Sequence, residues 1–317
     1  MKQYALSGFD TFRCIAEKCT DSCCVGWDVV IDDETAARYR RMDTPLGKKI
    51  CGCMHIDEDG DTIFEAADGR CPFLRADGLC EIQYTCGEEA LSVTCARFPR
   101  IVQEYDDFTE YCLSLACPEA ARILLTADKL HCPVPETENT ALVFLADVRQ
   151  RLIALVQDRE RPFREALCRC LSFAEQVQNG TPPDRIVPEL PDVPSALPDG
   201  LFRFHETLDI MTEPFHTILR SPCHKAPSDR TVLENAAVCF LYRYILQAID
   251  DGDILSRVQQ MLTAVTFIAF ADADPVDAAR LYSKEVEHSY ENTELLYEAF
   301  YGNELFYPEA FYGIWQA

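Results

Sequence analysis

The chain has 317 residues, 48% of them apolar, and a formal charge of −24. That is enough apolar material for two cores. The charge excludes a polyanion such as nucleic acid as the natural partner and favours one that presents lysines. Residues 1 to 132 carry 14 basic and 24 acidic side chains, and the remainder 15 and 29, so the acidity is general and not confined to a tail.

The opening MKQYALSGFD has no basic segment followed by an apolar run, so no secretory signal is read there and the sequence predicts a reducing, cytoplasmic setting. The longest uncharged apolar run, Met261 to Ala271, is too short to span a membrane. In that setting the 17 cysteines argue for metal or redox chemistry before disulfides.

Twelve of the cysteines lie between Cys14 and Cys117. The first group is Cys14, Cys19, Cys23 and Cys24, and Gly26 to Ile31 leaves it as a short strand. Asp32 or Asp33 can then cap a helix running to about Met42. Cys51 to Asp57 and Thr62 to Ala67 flank the turn-like Glu58-Asp59-Gly60-Asp61 as a hairpin. In the second group, Ala76-Asp77-Gly78 turns Cys80 back toward Cys71, as two ligands of one metal require. Gly87 to Thr94 reads as a short helix ending near Cys95. A second hairpin, Ile101 to Tyr105 with Phe108 to Leu115, follows. Pro118 then opens a helix to Leu125, placing Cys117 at its N-terminus, where the dipole favours a thiolate.

Beyond Cys132 the pattern is helical over 141–157, 162–178, 232–249, 254–270 and 275–300. Six prolines between Gly180 and Gly200 mark an extended connector. The sequence therefore predicts an α+β protein with a cysteine-rich metal-binding domain over 1–132 and an all-α domain over 133–317 that contains the connector.

Thiolate is a soft ligand suited to zinc or iron–sulfur clusters. The expected ligands are Cys14, Cys19, Cys23, Cys24, Cys71, Cys80, Cys95 and Cys117. Adjacent Cys23 and Cys24 seldom face one metal, so one of them packs or two centres exist. Cys168, Cys170, Cys223 and Cys239 read as structural thiols, while Cys51, Cys53, Cys86, Cys112 and Cys132 are undecided. Arg97 and Arg100 beside Cys95 are candidate cofactor-binding residues, able to offset thiolate charge or grip a carboxylate. No two glycines stand two apart, so neither a G-x-G nucleotide loop nor a P-loop is available. The six histidines form no metal-binding pair and read as ordinary residues.

Taken together, Cys19-x3-Cys23-Cys24-Val25-Gly26-Trp27, Cys71-Pro72-Phe73-Leu74, Gly78-Leu79-Cys80, Cys95 to Arg100 and Cys117-Pro118-Glu119 resemble the flagellin lysine-N-methylase family. The resemblance spans about the first 125 residues. Glu287-His288-Ser289-x-Glu291-Asn292 is similar more loosely. The resemblance implies methyl transfer from S-adenosylmethionine to lysines of flagellin, in the cytoplasm, by a protein carrying a [4Fe-4S] cluster. Under it, Glu110, Tyr111, Glu119 and His288 become candidates for removing the lysine's proton. The competing expectation is a cysteine-cluster binding module, with structural zinc or a redox cluster, that catalyses nothing.

Overall fold

The computed structural model describes residues 1–58, 60–66, 68–223 and 229–317. Asp59 in the expected hairpin turn, Ala67 at the end of its strand and His224 lie outside the described residues. The fold is α+β, and its contacts divide it into two units. Where the sequence suggests one boundary near residue 132, the thiol-rich unit is Arg13–Ile101 with Cys117–Glu119. The other unit gathers Met1–Phe12, Val102–Ala116 and Ala120–Ala317. The difference arises because β1 (Lys2–Ala5) pairs with a strand more than a hundred residues away, a contact that no local pattern announces.

In the thiol-rich unit, β2 (Val29–Val30), β3 (Met54–Ile56) and β4 (Thr62–Phe64) form an antiparallel sheet in the order β2-β4-β3. The register sets Val29 and Met54 on either side of Phe64. Phe64 is buried and packs on Phe73 with ring centroids 4.7 Å apart. The expected hairpin is therefore present, but its first strand begins at Met54. Pro45–Cys53 is a helix instead. Thr44 caps it, its Oγ accepting from Gly47 N at 3.0 Å, and Pro45 sits where a missing N–H costs nothing. Gly47 is required there, since a Cβ would stand 2.2 Å from the Met42 carbonyl oxygen.

Asp32 caps the helix Asp33–Arg40 through Thr35 N at 2.9 Å, as expected. Two further short helices follow, Glu81–Cys86 and Val93–Arg97, the second capped by Ser92. The helix read over 87–94 is in fact a 3₁₀ turn at Glu88–Ala90 followed by Val93–Arg97. The core of this unit is Val29, Ile31, Ala36, Tyr39, Ile50, Phe64, Phe73 and Ile82, joined by buried Cys71.

In the other unit, β6 (Phe108–Leu113), β1 and, from Val102 onward, β5 (Arg100–Glu104) belong to a sheet ordered β1-β6-β5, with β1 parallel to β6. Helices Thr140–Val156, Phe163–Gln178, Arg230–Tyr244 and Ile254–Phe270 build the body. Three begin with an Asn or Asp that accepts from the first-turn N–H groups: Asn139, Asp229 and Asp253. Ile254–Phe270 is buried on nearly every face, which fits the central helix of a bundle. Its Phe267 ring is stacked between Phe202 and Phe215. The stretch Arg230–Ile249 is long and apolar enough to cross a membrane, yet 83% of its most apolar window is buried inside the fold, as a core helix would be.

The long helix expected over 275–300 is broken. Pro275–Tyr282 runs into a π-helical turn at Ser283–Glu287, and a new helix, Tyr290–Gly302, starts from Ser289.

Candidate functional site

Two tight loops bring the thiols of the first unit together. Cys71 N donates to the Cys24 carbonyl at 2.8 Å and Gly26 N to the Gly69 carbonyl at 2.9 Å, so the first and second cysteine groups are laced backbone to backbone. Gly78 takes φ of +80°, which closes the turn that returns Cys80 to Leu74. Trp27 Nε1 donates to the Cys23 carbonyl at 3.0 Å, fixing that loop from the other side. Cys95 arrives on Val93–Arg97, and Val93 N donates to Asp32 Oδ2 at 2.9 Å. Asp32 thus caps two helices with one carboxylate. Burial alone would raise its pKa, but the N–H groups of Val93 and Thr35 win and hold it below the usual value.

The thiols of Cys23, Cys24, Cys71, Cys80 and Cys95 influence one another electrostatically. Cys24 shares hydrogen bonds with the thiols of Cys23 and Cys71, and these, with burial, push its pKa far up. Accepting from Cys24 draws Cys71 down to about 7 against the opposing effect of burial, and the Phe73 N–H assists. Burial pushes Cys95 up to about 11, with Cys80, Cys23 and Cys71 adding to it. Burial likewise raises Cys80 and Cys19, and Cys19 feels Cys14 and Cys23. Among the described residues no three His, Cys, Asp or Glu side chains already stand as a metal-holding group. The five thiols are neighbours rather than a closed ligand set. In donor type and number they fit a soft metal, and one of them is already biased toward the thiolate that such a metal needs.

A cleft of ≈ 340 Å³ is lined by Cys19, Thr20, Ser22, Glu17, Asp21, Arg70 and Asp77 among others, with Ser22 and Arg70 adjoining Cys23 and Cys71 in the chain. Its polar lining draws on both cysteine loops and was not singled out in the sequence, because Arg70 and Asp77 acquire meaning only when the loops meet.

The remaining expected residues are dispersed. Cys14 is exposed, and Cys117 is buried immediately before the helix Pro118–Leu125, which carries Glu119 in its first turn. Arg97 is exposed and Arg100 half-buried. Glu110 is buried, and both its carboxylate oxygens accept from the Arg149 guanidinium, at 2.6 and 2.7 Å. Tyr111 presents its hydroxyl to Gln3 Nε2 at 3.1 Å. His288 is exposed as a residue, but its Nε2 lies 2.6 Å from Ser114 Oγ. Loss of water around the ring lowers its pKa first, and the Arg243 charge lowers it further. Such an imidazole is neutral at neutral pH and able to accept a proton.

Cys168, Cys170 and Cys239 are buried on helices, their pKa values raised by burial. Of the undecided thiols, Cys53 and Cys86 pack on the first unit's core. Cys51 Sγ lies 3.5 Å from the Tyr39 carbonyl. Cys112 is buried, and burial raises both it and Cys132.

No family model matches the chain, and no solved structure matches it either. The chain is 35% identical over 161 aligned positions to the proteins called Lysine-N-methylase of Salmonella choleraesuis and Salmonella typhimurium. That match covers 45% of this chain and spans 38% of the length of those relatives. To the Flagellar biosynthetic protein FliU of Salmonella muenchen it is 36% identical over 132 aligned positions, 38% of this chain and 75% of that protein. With three quarters of a relative matched at this level of identity, the chain belongs to the flagellin lysine-N-methylase family.

Proposed function

We propose that this chain methylates lysine ε-amines of flagellin in the cytoplasm, with S-adenosylmethionine as donor and a [4Fe-4S] cluster held by the thiol group. The observation that carries the reading is the convergence of Cys23, Cys24, Cys71, Cys80 and Cys95 from three separate segments, in a member of a family whose relatives are named for lysine methylation. Four of these thiols would hold the cluster, and the fifth would pack. When bound, such a cluster supplies one-electron chemistry.

The chain's own residues supply binding and proton handling. Lysine is cationic at neutral pH and becomes a nucleophile only after losing its proton. Glu17 and Asp21 in the cleft at Cys19 attract the ammonium, Asp77 being already paired with Arg75, while Arg70 offers a partner for the donor's carboxylate. The overall charge of −24 draws a lysine-bearing protein toward the surface.

The test is mass spectrometry of flagellin from the same cell, with and without the gene, together with transfer of labelled methyl by anaerobically purified, metal-replete protein. Lysines gaining 14-Da increments only when the gene is present, an increment of about one methylene, support the reading. Unchanged masses, no transfer in vitro and colourless zinc-containing protein would leave the non-catalytic binding module.

A further inference from the structure

A second buried ion pair, besides Glu110 with Arg149, lies inside the apolar core of the helical unit. Arg243, on Arg230–Tyr244, pairs through Nη1 with Glu287 Oε1 at the end of the π-helical turn, and the Tyr244 hydroxyl donates to the same oxygen at 2.7 Å. The two charged side chains are 9% and 3% exposed. Every contact named so far uses one nitrogen and one oxygen of the pair. Arg243 Nη2 and Glu287 Oε2 are buried without a hydrogen-bond partner of good geometry among the described residues, while the Cys112 thiol interacts with the guanidinium and the Ser283 hydroxyl with the carboxylate.

Such groups are seldom left unsatisfied in a core, because each has given up water for nothing. Arg243 and Glu287 both line a small cavity of ≈ 10 Å³, which is closed by Leu6, Cys112, Leu115, Cys239 and Phe240. That is the space one water molecule occupies. We infer that this cavity is a binding site for a single water, which accepts from Arg243 Nη2 and donates to Glu287 Oε2.

The chemistry of the walls selects a neutral guest. Arg243 and Glu287 cancel each other's charge, so an added cation would face the guanidinium and an added anion the carboxylate. Cys112, Cys239 and Glu287 line the cavity but do not stand as a metal-holding group among the described residues, and the volume admits no polyatomic ligand. The thiols of Cys112 and Cys239 complete the wall as small groups that donate and accept weakly. An apolar cavity of the same size would stay dry, but one with a donor and an acceptor on its walls holds its water tightly.

The decisive measurement is a crystal structure of the full chain at a resolution that orders internal waters. A single peak within hydrogen-bond distance of both Arg243 Nη2 and Glu287 Oε2 is expected. A cavity without a peak, or a peak touching neither atom, overturns the inference.

A stability comparison reads the same property in solution. Cys239→Val adds about the volume of one water and expels it, while Cys239→Ala enlarges the cavity and keeps the water. The valine variant should melt several degrees below wild type and below the alanine variant. A valine variant that melts at or above wild type would show a dry cavity improved by filling, and the inference would fall.

Discussion

Cys71 N donates to the Cys24 carbonyl at 2.8 Å, and the thiol of Cys71 accepts from that of Cys24. Two cysteines 47 positions apart in the sequence are thus joined through backbone and side chain together. Ligation and folding should be coupled at this point. Cys71→Ala and Cys80→Ala are expected to lose bound metal, measured by elemental analysis after anaerobic purification, and to lose much of the first unit's ordered structure by circular dichroism. Cys168→Ala, Cys170→Ala and Cys239→Ala should keep the metal. Equal loss in both groups would show that the partition of the cysteines is wrong.

Asp32 offers a second test, because its two oxygens cap Asp33–Arg40 and Val93–Arg97. Each cap contributes about 1 kcal/mol. Asp32→Ala should therefore cost about 2 kcal/mol, and Asp32→Asn, which keeps one acceptor, about half of that. The folded-state pKa lies below the ordinary 3.8. The stabilisation is accordingly complete above that value and fades as pH falls through the lower folded pKa. Denaturant melts of wild type and Asp32→Asn at descending pH should converge there, and parallel curves would exclude the cap's titration.

Glu110 and Arg149 form a bidentate pair in which both side chains are fully buried, and Arg149 also donates to the Tyr242 carbonyl at 3.1 Å. Removing one partner leaves an uncompensated buried charge, at a cost of about 3–5 kcal/mol. Glu110→Ala should unfold at markedly lower denaturant, and the double variant Glu110→Leu/Arg149→Met should recover much of the loss. This geometry reserves Glu110 for structure. Normal stability with abolished methyl transfer in Glu110→Gln would instead restore it to catalysis.

His205 is fully buried among Phe204, Phe267 and Tyr282, with Nδ1 2.6 Å from the Leu201 carbonyl. Burial lowers its pKa from 6.5 to about 4, and the hydrogen bond to Leu201 opposes that only in part. The unfolded chain therefore binds a proton that the folded chain refuses. Stability should fall as pH drops from 6.5 toward 4 and rise again on return. The amplitude is of the order of 3 kcal/mol. His205→Phe should flatten this part of the stability profile, and an unchanged slope would assign it to other groups.

Much of this was legible in the residues. Asp32 as a cap, the hairpin before the second cysteine group and Pro118 at a helix start all follow from local chemistry, and each is present. So is the helical body after residue 139. The helix Pro45–Cys53 does not emerge from that reading, although Thr44 followed by Pro45 is a sufficient start signal, because the hairpin strand read from Cys51 takes in its last residues. The pairing of β1 with β6 and the cleft lined by Arg70 and Asp77 were not legible. Each depends on segments that meet only after the chain has folded. The break after Tyr282 had no proline or glycine to mark it. It accompanies the burial of Ser283, Lys284 and Glu285, a tertiary demand that overrides helix periodicity.

That break has a consequence of register. In the turn Ser283–Glu287, His288 N reaches back five residues to the Ser283 carbonyl, one more than in an α-helix, and Ser289 then leaves the helix with extended backbone before Tyr290 begins the next one. The wider turn sets Glu287 against Arg243 and His288 beside Ser114. Excising one residue from the turn would swing the positions that follow it by roughly 100° about the axis. A one-codon deletion would therefore part both pairs while leaving the helices on either side of the turn their own hydrogen bonds.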